Sequence, residues 1–197
     1  SSMSFVGAFE GHADAVYGLT VWQSQITSCS KDGTIKMWDA QGAVTKTFNA
    51  AEPTPLYCLA VRDNMLYCGA YDGSISVYDK SGSLVQRMKG HEGVVFCLCV
   101  HGDLVLSGSG DKTIRVWDTN YAEKAQMLGH DGVVSAILVH EGVVFSASYD
   151  KSIRVWTMDG RLKKELVGHD GLVLSLAISR GRLISSSADN TLHVRNE

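Results

Sequence analysis

Short apolar runs broken by polar turns alternate along the whole chain. VVFCLCV (94–100) and LVLSLAI (172–178) are two such runs; each leads into a polar turn, HGD in one case and SRGR in the other. A second run follows, ending in serines and an aspartate turn. Then comes a stretch such as Thr113-Ile114-Arg115-Val116-Trp117, whose alternation of β-branched and aromatic residues with polar ones predicts a strand. A weaker run, such as LVQRM (84–88), closes the series. The pattern predicts four short strands per unit, here called a to d, and no segment reads as a helix. The fold class expected is all-β.

The unit recurs. SCSKDGTIKMWD (28–39), CGAYDGSISVYD (68–79), SGSGDKTIRVWD (107–118), SASYDKSIRVWT (146–157) and SSSADNTLHVRN (185–196) share a turn aspartate at Asp32, Asp72, Asp111, Asp150 and Asp189. The third copy superficially suggests a phosphate-binding loop. However, Asp111 separates Gly110 from Lys112 and no helix follows, so the spacing of such a loop is absent. A phosphate loop also need occur only once, whereas a turn that returns every 39 or 40 residues is part of the architecture. A second signal keeps the same period. Gly11-His12, Gly90-His91, Gly129-His130 and Gly168-His169 each stand 20 residues before their aspartate, and Ala51-Glu52 fills that slot in the second copy.

Composition narrows the function classes. The 197 residues are 45% hydrophobic and suit one domain or a repeat array, and the two prolines, Pro53 and Pro55, leave no Pro-rich linker. A net charge of −3 gives no basic footprint for nucleic acid. No apolar run is long enough for a membrane helix. Ser1-Ser2-Met3 reads as a remnant ahead of a start methionine, and no Asn-x-Ser/Thr site occurs. The five cysteines (Cys29, Cys58, Cys68, Cys97, Cys99) lie in strand-like runs and read as buried free thiols of a reducing compartment, so the expected location is cytoplasmic, nuclear or both. Cys97, Cys99 and His101 lack the second ligand pair that a zinc site needs, so no zinc site is expected there. No metal or cofactor is expected. No acid, base or nucleophile set occurs singly, so the chain is not expected to be an enzyme.

With its Gly-His copies, turn aspartates and Trp38-Asp39, Tyr78-Asp79 and Trp117-Asp118, the chain resembles the WD-repeat β-propeller family over residues 4–197. It is similar to the compact repeats of F-box WD-repeat adaptors and of WD domains in RING-type ubiquitin ligases. The resemblance implies a single propeller of five four-stranded blades, with repeats near 10–47, 48–89, 90–128, 129–167 and 168–197. Residues 4–9 would be a closing strand that completes the last blade. Five repeats of a seven-bladed ring is the alternative. The resemblance also implies a hydrogen-bonded tetrad in each blade: His12, Asp32 and Trp38; His91, Asp111 and Trp117; His130, Asp150 and Trp156. Each is joined by one of two strand-b serines. His169 and Asp189 form the set that carries Arg195 in the tryptophan slot. The second blade, with Glu52 and Tyr78, departs from the pattern.

The function implied is a non-enzymatic platform for proteins or peptides, monomeric and part of a larger protein or complex. A small-ligand or sugar binder is the alternative, although the surface loops WDAQGAVTK, YDKSGSLVQ, WDTNYAEKA and WTMDGRLKK share little. In the F-box adaptors two positions per blade face the channel mouth. Carried over, the first gives Tyr17, Tyr57, Phe96, Ser135 and Leu174, and the second gives Lys31, Tyr71, Gly110, Tyr149 and Ala188. Phosphopeptide readers carry arginines there. None stands here and five of the ten are aromatic, so the expected ligand is an apolar or basic peptide. Lys36, Arg115 and Arg154 share one strand-c position and read as a solvated face.

Overall fold

The computed structural model describes residues 7–50 and 52–196, so the residues read as a remnant (1–3), the first half of the expected closing strand (4–6) and Glu197 lie outside the described residues. The described residues form five antiparallel sheets. Blade 1 holds β1 (Val16–Trp22), β2 (Gln25–Ser30), β3 (Thr34–Trp38) and β4 (Val44–Asn49). Blade 2 holds β5 (Leu56–Arg62), β6 (Met65–Ala70), β7 (Ile75–Tyr78) and β8 (Leu84–Met88). Blade 3 holds β9 (Val95–His101), β10 (Leu104–Ser109), β11 (Ile114–Trp117) and β12 (Glu123–Met127). Blade 4 holds β13 (Val134–His140), β14 (Val143–Ser148), β15 (Ile153–Thr157) and β16 (Leu162–Leu166). Blade 5 holds β17 (Val173–Ser179), β18 (Arg182–Ser187) and β19 (Leu192–Asn196). The sheets run in chain order, a-b-c-d in blades 1 to 4 and a-b-c in blade 5. The architecture is therefore the all-β propeller type that the repeat predicts.

The aspartate turns explain why the unit repeats. In blade 3 the Asp111 N–H donates to Ser109 Oγ (3.0 Å), and the Thr113 N–H donates to Asp111 Oδ1 (2.9 Å). The next position adopts a left-handed backbone in all five copies: Gly33, Gly73, Lys112, Lys151 and Asn190, with φ between 68° and 81°. Lys112 is thus a turn residue that carries a local cost of about 1–2 kcal/mol, not a phosphate ligand.

Four apolar clusters lie at the four seams between successive blades. At each seam strand a of one blade leans on strand b of the blade before it. Leu56, Val95, Val134 and Val173 are the buried knobs. Glycine is needed opposite: a Cβ on Gly108 would stand 2.6 Å from Val134 Cγ1.

The ends of the array differ from its middle. Val16 occupies the knob position in blade 1 and is 53% exposed. Leu192 matches the buried Ile35, Ile75, Ile114 and Ile153, yet it is 67% exposed. Among the described residues β17 does not pack on β1 as neighbouring blades pack on one another, and β19 has no fourth strand beside it. Residues 7–9, the described part of the expected closing strand, are not a strand, and Phe9 packs against Trp38 of blade 1 with ring centroids 5.7 Å apart. Among the described residues, then, blades 5 and 1 do not share the kind of seam that joins the other neighbours.

Candidate functional site

Full tetrads tie the Gly-His segment to strands b and c in blades 1, 3 and 4. In blade 3, His91 Nδ1 lies 2.8 Å from Asp111 Oδ2 and His91 Nε2 lies 2.8 Å from Ser107 Oγ. The Trp117 Nε1–H donates to the same Ser107 oxygen at 2.9 Å. These partners set the tautomer. Nδ1–H donates to the carboxylate, and Nε2 accepts the serine proton. Blade 4 repeats the chain through His130, Asp150, Ser146 and Trp156, with distances of 2.6, 2.7 and 2.8 Å. Blade 1 does so through His12, Asp32, Ser28 and Trp38, at 2.9, 2.8 and 2.8 Å. Of the two serines in blades 1, 3 and 4, the earlier one therefore joins the histidine, and the later one caps the aspartate turn. In blade 5, His169 contacts Asp189 (2.8 Å) and Ser185 (2.9 Å), and Arg195 Nη1 donates to Ser185 in place of an indole (3.2 Å).

Blade 2 solves the same problem with other residues. Glu52 and Cys68 stand where the others carry His and Ser, and Arg87 of β8 pairs with both Asp72 and Glu52. Tyr78 donates to the Asn49 carbonyl at 3.3 Å. Arg87 was not singled out in the sequence. Its signal is the basic residue in strand d of the one blade that lacks a histidine.

Burial and hydrogen bonding act on the ionisable groups together. Burial raises the Asp150 carboxyl, but hydrogen bonds from Ser152 and His130 outweigh it and bring its pKa down from 3.8 to about 2. Burial depresses His130 below its ordinary 6.5, partly opposed by Asp150. The His–Asp–Ser trios share atoms with hydrolase triads. Here His91, Ser107, His130 and Ser146 are buried, and each serine oxygen is taken by an indole, so no substrate atom reaches them.

The aromatic positions owe their direction to a repeated irregularity. Strand a pairs with strand b through Val16↔Ser30 and then Gly18↔Cys29, which skips Tyr17. The same skip omits Tyr57, Phe96, Ser135 and Leu174 in blades 2 to 5. Each is the extra residue of a β-bulge, a device that re-aims a side chain. Tyr71 and Tyr149 follow the facing strands, and their N–H groups bond to Pro55 and Val133 carbonyls.

The result is a continuous aromatic row. Tyr17 and Tyr57 stack with centroids 4.8 Å apart, Tyr57 meets Phe96 edge-on at 5.3 Å, and Tyr57–Tyr71 and Phe96–Tyr149 are each 6.5 Å apart. Tyr71 is 57% exposed and Tyr17 48%. Gly110 lies beneath Phe96, where a Cβ would approach Cε2 to 3.3 Å. Burial raises the Tyr57 phenol's pKa; Tyr17 and Tyr71 add to this and Lys31 opposes it, so the polar tips converge. Lys31 pairs with Asp14 at 3.6 Å. Ser135 turns inward and bonds to the Val173 carbonyl at 2.5 Å, which ends the row; Leu174 and Ala188 are exposed beyond it. At this same end Asp14, Glu52, Glu92, Asp131 and Asp170 are exposed, one in each blade.

These blades, turns and tetrads define a WD-repeat β-propeller, and the chain belongs to that family. The model for the WD domain, G-beta repeat, matches residues 3–39 and 160–196. The model described as IP5P C-F beta-propeller matches residues 57–156, just over half the chain. A curated relative, the pre-mRNA-splicing factor cwf17 of Schizosaccharomyces pombe (strain 972 / ATCC 24843), is 29% identical over 91 residues, which cover 44% of this chain and 27% of that protein. Among solved structures, the WD40 beta propeller domain of Doa1 superposes with a TM-score of 0.84 at 26% identity, over 94% of this chain and 66% of that one. The computationally designed Ika8 protein gives 0.75 at 25% identity, over 95% and 73%; the designed Ika4 protein gives 0.69 at 29%, over 74% and 93%.

Proposed function

We propose that this propeller is a non-enzymatic protein- or peptide-binding scaffold whose ligand docks on the aromatic row formed by Tyr17, Tyr57, Tyr71, Phe96 and Tyr149. The carrying observation is the repeated bulge, which turns three aromatic side chains into one contiguous surface. Lys31 and Leu174 would flank it. The carboxylates around this end favour a basic peptide, with a lysine or methyl-lysine over the ring faces. The absence of arginine at the ten mouth positions argues against phosphopeptide reading. The family and the kinship with cwf17 support a place in a larger protein assembly, with the nucleus as a location.

Truncating one aromatic anchor costs about 2 kcal/mol of binding, roughly a thirtyfold loss. The double substitution Tyr71→Ala with Phe96→Ala is therefore expected to lose partners recovered by affinity purification while its melting temperature stays near the parent's. A folded double variant that keeps every partner would rule the row out as the binding site.

A second reading, five repeats of a seven-bladed ring, is favoured by the exposed Val16 and Leu192. The match to the Doa1 propeller domain covers about two thirds of that chain, which supports this reading. Small-angle scattering distinguishes the readings. A five-bladed closed ring gives a compact monomer, whereas an open arc gives an elongated profile or concentration-dependent association.

A further inference from the structure

We propose that the seam between blades 4 and 5 carries a second docking slot, one that receives a tryptophan side chain presented by a partner polypeptide. The argument compares two seams one repeat apart. Between blades 3 and 4 the Trp156 indole is buried in a cluster with Leu106, Val116, Met127 and Val144, and Ala125 packs against it. One repeat later the corresponding residues are Phe145, Val155, Leu166, Leu183 and Lys164, and the indole's own position is Arg195. The apolar walls are kept while the side chain that fills them elsewhere is gone.

Arg195 replaces only the polar half of the tryptophan. Its Nη1 reaches Ser185 Oγ, as the Trp156 Nε1 reaches Ser146. Its Nη2 is turned to the Val167 carbonyl and to His193 Nδ1, each at 3.1 Å. The guanidinium is thus drawn toward the tetrad and leaves the space between the walls. A cleft of about 410 Å³ remains there, lined by those same four apolar residues with Lys164 and Arg195. That volume falls within the range of small-ligand pockets, roughly 300–1,000 Å³.

The molecule itself shows what fits this slot. Trp117 and Trp156 occupy it at two seams and Tyr78 at a third, all buried. Lys164 stands where the preceding blade has Ala125, so the rim carries a cation beside the apolar slot. A tryptophan followed by a carboxylate meets both features, as Trp117-Asp118 does in this chain. The slot lies at a blade seam, apart from the aromatic row, and does not depend on it.

The test titrates the methyl-labelled chain with two probes, N-acetyl-L-tryptophanamide and the blocked peptide Arg-Val-Trp-Asp. Both are expected to shift the Val155 and Leu183 methyl resonances saturably, the peptide binding about tenfold more tightly. Arg195→Trp fills the slot, so it is expected to abolish both shifts and to raise the melting temperature. Lys164→Glu, an exposed change, is expected to remove the peptide's advantage and leave the amide's affinity intact; it decides the matter if Arg195→Trp does not fold. The proposal fails if neither probe shifts those methyls, if Arg195→Trp binds like the parent, or if Lys164→Glu leaves the peptide's affinity unchanged. Binding of the amide without the peptide would mean a slot for free aromatic molecules and would overturn the polypeptide occupant.

Discussion

Asp111→Ala is expected to lower stability by about 3–5 kcal/mol, the usual loss when one partner of a buried, charge-assisted hydrogen-bond network is removed. Both oxygens of this carboxylate are in use. Oδ2 accepts from His91 and from the Glu92 N–H (3.0 Å); Oδ1 accepts from the Thr113 N–H and its hydroxyl (2.7 Å). The alanine would leave a buried imidazole and two turn N–H groups without their acceptor. The b–c turn would loosen and release the blade's edge from its neighbour. The control is Asp118→Ala. Its carboxylate also caps a turn, through the Asn120 and Ala122 N–H groups, but it touches no buried histidine. That change should cost about 1 kcal/mol, the worth of an ordinary hydrogen bond. Urea unfolding of the two variants beside the parent makes the comparison. Equal midpoints for Asp111→Ala and the parent would mean that the tetrad does not hold the blade.

The repeat was legible because its parts are local. Asp111 makes a turn with residues two positions away, and Gly-His stands at a fixed distance from it, so both leave a period in the sequence. The strands follow from alternation for the same reason. What alternation did not reveal was the bulge. Tyr17 and Phe96 differ from their neighbours only by one skipped pair in the register with strand b, a fact about two strands rather than one. Nor could composition separate Ser107 from Ser109: one faces the histidine and the other the turn, and the pleat decides which. Arg87 illustrates a different limit. It replaces a histidine from strand d, 35 residues from the vacant slot, and substitution at a distance breaks the period that made the other tetrads visible. Ring closure is the least local property of all. It depends on whether Leu192 and Val16 find a neighbour, which neither residue's own surroundings in the chain determine.

Acid is expected to unfold the propeller in two stages, with stability greatest above pH 7. The first stage belongs to His130. Its pKa in the folded chain is depressed below 6.5 by burial, so as the pH falls through 6.5 the unfolded chain takes up a proton that the folded one resists. The second belongs to the carboxylates. Asp150 titrates near 2 in the fold against 3.8 when free, so the stability it contributes is present above 3.8 and is lost as the pH falls toward 2. Asp32, Asp111 and Asp189 are shifted in the same direction, through hydrogen bonds from Thr34, His91 and Thr191 among others, so their contributions fail in the same window. Protonation of any of them also removes the acceptor of a histidine Nδ1–H, which couples the stages within one blade. Melting temperatures recorded at pH 7.5, 5.5, 4 and 3 should therefore fall modestly between the first two and steeply between the last two. Sodium chloride should change this least for the His91–Asp111 and His130–Asp150 pairs, whose histidines are buried and screened weakly by ions. A melting temperature that holds steady from pH 7.5 to 3 would show that these carboxylates are not held in their charged form by the fold.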